Sequence, residues 1–259
     1  MARDPWGTHA EKYDAVFGPV LALYSSDALV LASEALAACG TVLDVGCGTG
    51  ASTLHLIGRG FSVTATDLSQ GMLHVLARKL GPEPRASLVP ADGQTLEPFA
   101  DASFDAAISA FGIVLFPDRV AGWNAARRIL KDKGVIVALC WSERYDGLRL
   151  VDSLKVTFGE PEPIKNPCTT AQGFTEEVEG CGFEVCRIVP VRHDFVFPCG
   201  RLFVEGMWDN PFFARMDTYG RDAVNGAIAS YFGKTPEAFM DEPLVVLGEA
   251  YVLVGRKFF

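Results

Sequence analysis

Short apolar stretches alternate with amphipathic segments along the first 145 residues of the chain. The pattern predicts strands at 42–46, 61–66, 87–89, 104–109 and 135–141. It predicts helices at 51–57, at 71–79 behind a Ser69 cap, and from about 118, with a turn at 131–134. Strands that alternate with helices at this spacing favour a parallel sheet with helices on both faces. Ligands of such sheets bind beyond the carboxyl ends of the strands, where the strand order reverses.

The pattern is less regular beyond residue 145. It predicts a loop at 159–167, a short helix at 174–182 and strands at 183–191 and 249–254. The stretch between the last two strands is rich in large side chains, namely Phe203, Met207, Trp208, Phe212, Phe213, Met216, Tyr219, Tyr231, Phe232 and Phe239. We therefore expect a helical cap at 1–40, a core at 41–194, a lid insertion at 195–243 and a closing strand within 244–259.

The stretch 41–52, TVLDVGCGTGAS, joins the first predicted strand to the first helix of the core. Gly46, Gly48 and Gly50 allow positive φ and let a ligand approach the backbone closely. The following helix points free N–H groups towards such a ligand. Such a loop on its own also fits a dinucleotide-binding turn.

Asp44 separates these two interpretations. A nicotinamide dinucleotide places its pyrophosphate at this turn, and a carboxylate beside it would repel the phosphates. S-adenosylmethionine has no phosphate and carries an ammonium, a sulfonium and a carboxylate, so Asp44 favours it. The alternative is that Asp44 caps the loop by accepting hydrogen bonds from its amides.

Further acidic residues follow the second and third strands. Asp67 can accept two hydrogen bonds from vicinal ribose hydroxyls. Asp92 can accept a hydrogen bond from an adenine amine, while the neighbouring Gly93 amide donates to a ring nitrogen. The alternatives are a helix N-terminal acid near Ser69 and a simple Asp-Gly turn.

Charge and cysteine content narrow the class of protein. The formal net charge of −9 disfavours a nucleic-acid partner. The seven cysteines form no CxxC pair or Cys/His cluster with zinc spacing, so we expect no metal site and reduced cysteines in a cytoplasmic protein. The N-terminus has no signal-like apolar region, and no apolar run of about 18 residues predicts a membrane span.

Four stretches between 40 and 145 carry a family resemblance: VLDVGCGTG, TATDLSQGML, PADGQTLEPFADASFDAAISAFGIVLFPD and ARRILKDKGVIVALCWS. They resemble the successive motifs of class I S-adenosylmethionine-dependent methyltransferases, in particular the methyltransferase type 11 group, which is similar to ubiquinone/menaquinone C-methyltransferases. The resemblance implies an α/β fold with a Rossmann-like seven-stranded, mostly parallel sheet and helices on both faces. It also implies a helical lid, formed by the N-terminus and an insertion before the last strand.

The resemblance also implies roles for individual residues. The glycine loop would hold the methionine moiety, Leu68 would pack on adenine, and Ser109–Phe111 would line the methyl-transfer site. The implied cofactor-binding residues are Asp44, Gly46, Cys47, Gly48, Gly50, Asp67, Leu68, Met72, Asp92, Gly93, Ala110 and Phe111. Tyr13 on the closing N-terminal helix and His9 near it are the candidate catalytic residues, with Trp6 beside them. The alternative is that these three side chains only pack within the cap.

The methyl acceptor is harder to predict. Methyl transfer from a sulfonium mainly requires proximity and alignment, and a base only where the acceptor loses a proton. SAFGI at 109–113 replaces the Asn/Asp-Pro-Pro-Tyr run of amine-methylating enzymes and disfavours that class. The lid aromatics predict a small apolar or aromatic acceptor near Phe111, Trp141, Tyr145 and Trp208.

Other functions remain open at this stage. The aromatics could form only the core of the lid, or the acceptor could be a protein side chain. The chain could also be a non-catalytic adenosyl-ligand-binding subunit, whereas Asp44 disfavours an NAD-dependent oxidoreductase.

Overall fold

Seven strands form one central sheet in the computed structural model, which describes residues 6–161, 166–208 and 213–258. The strands are β1 (Thr41–Val45), β2 (Ser62–Asp67), β3 (Ala86–Pro90), β4 (Phe104–Ala110), β5 (Leu130–Trp141), β6 (Phe183–Arg192) and β9 (Glu249–Lys257). Their order is β3-β2-β1-β4-β5-β9-β6. Only β9 runs antiparallel to its neighbours, and the other pairs are parallel. The predicted seven-stranded, mostly parallel sheet is therefore confirmed.

The strand order reverses beside β1, which lies between β2 and β4. Asp44 pairs in register with Ala65 on one side and Ile108 on the other. This is the topological switch point at which open α/β sheets bind ligands. The predicted site residues Asp44, Asp67 and Ala110 all lie at or next to the carboxyl ends of these strands.

Helices cover both faces of the sheet. They are α1 (Ala10–Leu31), α2 (Ser33–Leu36), α3 (Ala51–Gly58), α4 (Gln70–Leu80), α5 (Arg119–Ile129), α6 (Asp146–Thr157), α7 (Ala171–Gly180), α8 (Gly200–Trp208), α9 (Arg221–Tyr231) and α10 (Pro236–Asp241). Val42 belongs to a core with α1 and α3, whereas Leu43 and Val45 belong to a second core with α5 and α7. Side chains alternate along a strand, so Asp44 faces the α1–α3 side with Val42.

Two predicted elements differ from the structure. The helix predicted at 174–182 is α7, which starts at Ala171 because Thr170 caps it by accepting the Gly173 N–H at 3.1 Å. The turn predicted at 131–134 lies inside β5 as a bulge. Pairing there jumps from Phe104 opposite Leu130 to Ala106 opposite Val135.

The insertion at 195–243 is tied at both ends by a small second sheet. Strand β7 (Phe195–Phe197) pairs antiparallel with β8 (Leu244–Val246), and α8, α9 and α10 lie between them. Phe203, Met207 and Phe239 of the insertion share one core with α1. Most of its large side chains therefore make core contacts, while Phe212 lies outside the described residues.

Helix α1 combines an apolar composition with packing on the core. Within the described part of the chain, Gly7–Leu31 is one helical stretch long and apolar enough to cross a membrane by length and composition. This differs from the sequence-based expectation that no run would qualify. In the fold, Tyr24 and Leu29 of this helix are buried. Arg59 at the end of α3 donates to the Leu29 carbonyl at 2.9 Å.

A polar cluster joins α5 to α7. Glu177 accepts two bonds from the Arg119 Nε atom and one from its Nη2 atom, the shortest at 2.9 Å, and one from Trp123 Nε1 at 2.9 Å. Cys168 donates to the same carboxylate at 3.2 Å. The side chain of Glu177 is only 10% exposed. One carboxylate thus accepts hydrogen bonds from three residues on the face of the sheet opposite Asp44.

We predict that Glu177→Ala lowers the free energy of unfolding by about 3 kcal/mol, because it leaves a guanidinium and an indole N–H without their acceptor. Urea denaturation measures the loss. Asp101→Ala is the control, since the Asp101 side chain is 77% exposed in its pair with Arg128 and should cost below about 1 kcal/mol. Equal losses of unfolding free energy in the two variants would contradict the prediction that Glu177 stabilises the fold more than Asp101 does.

Candidate functional site

The glycine loop follows the carboxyl end of β1, an inner strand of the sheet. Gly46, Gly48 and Gly50 have φ values of 68°, 53° and 94°. A Cβ at position 50 would lie 2.2 Å from a methyl carbon of Leu76, so side chains are excluded there. A Cβ at position 48 would meet no described atom within 4 Å. The loop is therefore packed at Gly50 and open at Gly48, where a ligand can approach the backbone.

The end of β2 fixes the loop amides. The Gly46 and Cys47 N–H groups donate to the Thr66 carbonyl at 2.9 and 3.0 Å. The Gly48 N–H donates to Asp67 Oδ2 at 2.9 Å, and the Ser69 N–H donates to Asp67 Oδ1 at 2.8 Å. Asp67 thus accepts hydrogen bonds from the glycine loop and from the start of α4. The second of these bonds is typical of an acid at a helix N-terminus. Neighbouring Leu68 is 72% exposed, and the ribose and adenine roles of these two residues stay predictions.

Asp44 is a buried carboxylate with one oxygen satisfied. Its exposure is 1%, and Thr53 on α3 donates to its Oδ2 at 2.6 Å. Its Oδ1 is buried without a hydrogen-bond partner among the described residues. Burial raises the pKa of Asp44 to about 7, and the charge of Asp67 acts in the same direction, although the Thr53 hydroxyl opposes it. A cation or a hydrogen-bond donor next to this oxygen would stabilise the charged form of the carboxylate.

Asp92 and Gly93 form a tight turn after β3. Asp92 Oδ1 accepts the Gln94 N–H at 2.8 Å, as in a simple Asp-Gly turn. A Cβ at position 93 would lie 2.3 Å from Phe116, which gives this glycine a packing reason. Their predicted contact with adenine stays a prediction.

A small cavity of about 50 Å³ lies between the loop, β4 and α1. It is lined by Tyr13, Leu21, Ser25, Asp44, Gly46, Cys47, Gly48, Thr49, Ala51, Ser52, Ala110 and Phe111. Among the predicted cofactor residues, Gly50, Asp67, Leu68, Met72, Asp92 and Gly93 are outside this lining. A cavity of this volume holds about one or two water molecules.

Sequence reasoning missed the two serines of this lining. Ser25 and Ser52 are both buried, and their hydroxyls are 3.0 Å apart. They meet because α1 packs across α3, and no local sequence motif predicts that contact. A capping or periodicity signal could not have identified either residue as part of the site.

The first half of α1 forms the cover. Ala10 packs with Met72 of α4, and Tyr13 contacts the Trp6 ring edge-to-face at 5.6 Å. A Cβ at Gly71 would lie 2.3 Å from Gly7, so the turn before α1 sits directly on α4. Tyr13 lines the cavity and His9 does not, and the catalytic roles of both stay predictions.

Surface ion pairs add to this packing. Glu11 pairs with Arg78 at 2.8 Å, and Asp14 pairs with Lys79, which also donates to the Thr49 carbonyl at 3.1 Å. Lys79 thereby links the cover to the glycine loop.

The second half of α1 is anchored deeper in the fold. The Tyr24 hydroxyl donates to the His193 carbonyl at 3.1 Å, and Asp27 contacts the His193 Nε2 atom at 2.7 Å. Pro19 lies inside the helix, between the covering and the anchored halves. Proline removes an internal hydrogen bond of a helix, so the two halves join at a weak point.

Aromatic rings form the wall beyond the cavity. Phe111 stacks on Trp141 at 4.1 Å between ring centroids, and Trp141 stacks on Tyr145 at 4.2 Å. Tyr24 contacts both Phe111 and Trp141 edge-to-face. Phe111 has a φ of 61°, a conformation that is strained for a bulky residue and common at functional sites.

Three of the four residues predicted near the acceptor lie in this wall. The fourth, Trp208, lies at the end of α8, where its Nε1 donates to Asn225 at 3.1 Å and Arg221 covers its ring at 5.0 Å. Its polar group and one ring face are thus engaged within the insertion.

A comparison with protein families finds one domain in the chain. Residues 43–138 match the family model described as "Methyltransferase domain". The matched range contains the glycine loop, Asp67, Asp92 and Phe111. The resemblance drawn from the four motifs is therefore confirmed.

Curated relatives match over a similar length. The chain is 41% identical over 96 residues to a demethylmenaquinone methyltransferase of Clavibacter sepedonicus, covering 37% of this chain and 39% of the relative. It is 38% identical over 100 residues to the protein of the same name from Staphylococcus aureus strain MRSA252, covering 38% and 41%. The chain thus spans about two fifths of the length of these curated relatives.

Solved structures share the fold over a longer range. The YcgJ protein of Bacillus subtilis aligns with a TM-score of 0.60 at 16% identity, covering 90% of this chain and 99% of that one. The cyclase SpnF aligns with a TM-score of 0.57 at 21% identity, covering 90% and 81%. At these identities the likeness concerns the fold alone.

We predict that the ligand-free chain loses stability as the pH rises from about 4 to about 7. The folded state retains a proton on Asp44 up to about pH 7, whereas the unfolded chain releases it near pH 4. The difference corresponds to at most about 4 kcal/mol. Urea denaturation at pH 5 and pH 8 should show the loss in the wild type and a smaller loss in Asp44→Asn.

Asp105→Asn is the matched control. Its hydrogen bonds from Lys131 and Thr41 hold the pKa of Asp105 below its usual range, so this group titrates below the tested window. The control should keep the wild-type difference between pH 5 and pH 8. An unchanged difference in Asp44→Asn would show that Asp44 does not carry it.

Proposed function

Since residues 43–138 belong to the methyltransferase domain family, we propose that the chain transfers the methyl group of S-adenosylmethionine to a small, flat organic acceptor. The observation that carries this proposal is Asp44 Oδ1, which is buried without a partner in the cavity below the glycine loop. An ammonium group of the methionine moiety fits it in charge and in hydrogen bonding. The open side of Gly48 supports close approach of the same moiety.

The chain's own residues divide the remaining tasks. When bound, S-adenosylmethionine supplies an electrophilic methyl group on a sulfonium. Asp67 would accept from the ribose hydroxyls, while Asp44 would hold the ammonium end. Phe111 would border the methyl-transfer site, and the first half of α1, with Tyr13, would exclude water. Alignment by this cover matches what an in-line displacement needs from a protein.

An aromatic acceptor is supported by the wall of rings. Phe111 lines the cavity, and Trp141 and Tyr145 stack in turn behind it. Demethylmenaquinone, which the curated relatives' name gives as their substrate, carries a flat aromatic ring of this class. We therefore propose a quinol-like or other hydroxylated aromatic acceptor.

The alternatives find less support. A nicotinamide dinucleotide would place phosphates beside Asp44, whose charge repels them. A protein side chain as acceptor would have to pass the cover formed by α1. A non-catalytic subunit would need no strained Phe111 beside the ligand cavity.

The proposed setting is a cytoplasmic enzyme that does not bind nucleic acid. The net charge of −9 supports the absence of a nucleic-acid partner. The seven cysteines, all free, agree with a reducing compartment.

We predict that S-adenosylhomocysteine binds the purified chain with micromolar affinity and that NADH does not, as measured by titration calorimetry. Asp44→Asn should weaken this binding about 10- to 100-fold, because a hydrogen-bonded charge pair is lost, and Asp67→Ala should weaken it as well. The wild-type affinity should rise between pH 6 and pH 8, since the ammonium pairs with ionised Asp44, whose pKa is about 7. Asp44→Asn should remove that rise.

Asp105→Asn is the control. Asp105 accepts the Thr41 N–H at 2.9 Å at the start of β1, whereas Asp44 lies near the end of that strand. It should leave ligand affinity unchanged. Binding of NADH, or no binding of either adenosyl compound, would contradict the proposed function.

A further inference from the structure

The two buried serines of the cavity lining form a hydrogen-bonded pair. Ser25 of α1 is 0% exposed and Ser52 of α3 is 2% exposed, and their hydroxyl oxygens are 3.0 Å apart. Each hydroxyl has one hydrogen to donate, and the bond between the two uses only one of them. Neither hydroxyl has a second partner among the described residues. The pair therefore keeps one buried donor to which these residues offer no acceptor.

This pair shares its cavity with the Asp44 carboxylate. Ser25, Ser52 and Asp44 all belong to the lining. Thr53, which follows Ser52 in α3, donates to Asp44 Oδ2 at 2.6 Å, so the start of α3 lies against this carboxylate. The Oδ1 atom is buried without a partner in the described part of the chain. The lining thus combines an unpartnered acceptor with a spare donor.

The start of α3 adds backbone donors to the lining. Ala51 and Ser52 line the cavity, no side chain caps this helix, and within the described ranges the N–H groups of these two residues have no acceptor. The N-terminal turn of a helix favours a negatively charged group. Asp44 would repel a simple anion there, so a ligand anion fits only if the ligand also brings a positive charge for Asp44.

The lining offers neutral donors rather than a cation to such an anion. Its described residues include no Lys, Arg or His. Lys79 reaches the Thr49 carbonyl at 3.1 Å and is already paired with Asp14. A ligand carboxylate would therefore depend on hydroxyl and amide donors.

The position of Ser25 is fixed by the anchored half of α1. The hydroxyl of the preceding residue, Tyr24, donates to the His193 carbonyl at 3.1 Å, and Tyr24 is fully buried. Ser52 is fixed in turn by its place in the first turn of α3. Because both hydroxyls are held before a ligand arrives, binding does not have to order them.

We propose that the Ser25–Ser52 pair, together with the first N–H groups of α3, binds the carboxylate of the methionine moiety while Asp44 binds its ammonium. This inference rests on the proposed function and deepens it, because it names the residues that recognise the ligand as an amino acid. The ammonium and the carboxylate of that moiety are attached to one carbon atom, so their partners have to lie side by side, as Asp44 and the start of α3 do.

The test compares two ligands that differ only in the carboxylate. Titration calorimetry at pH 8 measures the affinity for S-adenosylhomocysteine and for its decarboxylated analogue, 5′-deoxy-5′-(3-aminopropylthio)adenosine. Both compounds carry the adenosine, the sulfur atom and the ammonium. The wild type should bind S-adenosylhomocysteine at least about tenfold more tightly, because only this ligand gives the serine pair and the α3 amides an acceptor.

The double variant Ser25→Ala/Ser52→Ala removes both hydroxyls and leaves neither of them unpaired, so we expect it to fold. It should weaken binding of S-adenosylhomocysteine about tenfold and change the affinity for the decarboxylated analogue less than about twofold. Asp44→Asn should instead weaken binding of both ligands, because both carry the ammonium.

Ser142→Ala is the matched control for loss of a buried serine hydroxyl. Ser142 is 0% exposed, and its hydroxyl donates to Glu249 at 2.9 Å outside the cavity lining. This variant should lower the melting temperature and leave the affinities for both ligands unchanged.

Three outcomes would overturn the inference while leaving the proposed cofactor in place. One is a wild type that binds both ligands equally well. Another is a double serine variant that keeps the wild-type preference. The third is a double variant that loses affinity for both ligands alike, as expected if the serines only pack α1 against α3. A chain that does not bind S-adenosylhomocysteine at all would overturn the proposed function and the inference together.

Discussion

The burial of the Asp44 carboxylate is the constraint around which the site is built. One oxygen bonds to Thr53 and so ties β1 to α3 across the glycine loop, and the other is left without a protein partner. A buried charge of this kind is costly, and burial raises the pKa of Asp44 to about 7. The free protein therefore holds this carboxyl close to neutrality, and a cationic ligand would restore its charge. The burial of Asp44 lowers the stability of the free protein, and a cationic ligand that pairs with its carboxylate would gain binding free energy from relieving that cost.

The two halves of helix α1 play different parts around the buried Asp44 carboxylate. Its second half is part of the core through buried Tyr24 and through the contact of Asp27 with His193. Its first half covers the cavity and is held partly by the pair of Glu11 and Arg78, whose side chains are 72% and 55% exposed. Exposed ion pairs contribute little to stability, so the packing of Ala10 on Met72 holds this half more firmly than the pair does. Pro19 lies inside the helix, between the two halves.

Much of the sheet and of the glycine loop, which form the predicted cofactor site, could be predicted from local sequence. Strand periodicity located the sheet, and the glycines with positive φ marked the loop, because both signals arise within a few residues of chain. The link between Asp27 and His193 spans 166 positions, and no spacing rule announces such a contact. The meeting of Ser25 with Ser52 escaped prediction for the same reason. The bulge in β5 escaped because Lys131–Gly134 carries ordinary turn residues, which the strand absorbs through a register shift.

The side chains proposed to lie near the methyl acceptor are largely outside the segment that matches the methyltransferase family. The methyltransferase match begins at residue 43 and ends at 138, so it includes Phe111 but excludes Tyr13, Trp141 and Tyr145. Phe111 alone offers a ring face, and every flat acceptor could stack on it. Trp141 and Tyr145, which stack in turn behind Phe111, come from the end of β5 and the segment after it. Similarity within the matched segment therefore supports the cofactor, whereas the proposed aromatic acceptor rests partly on side chains outside that segment.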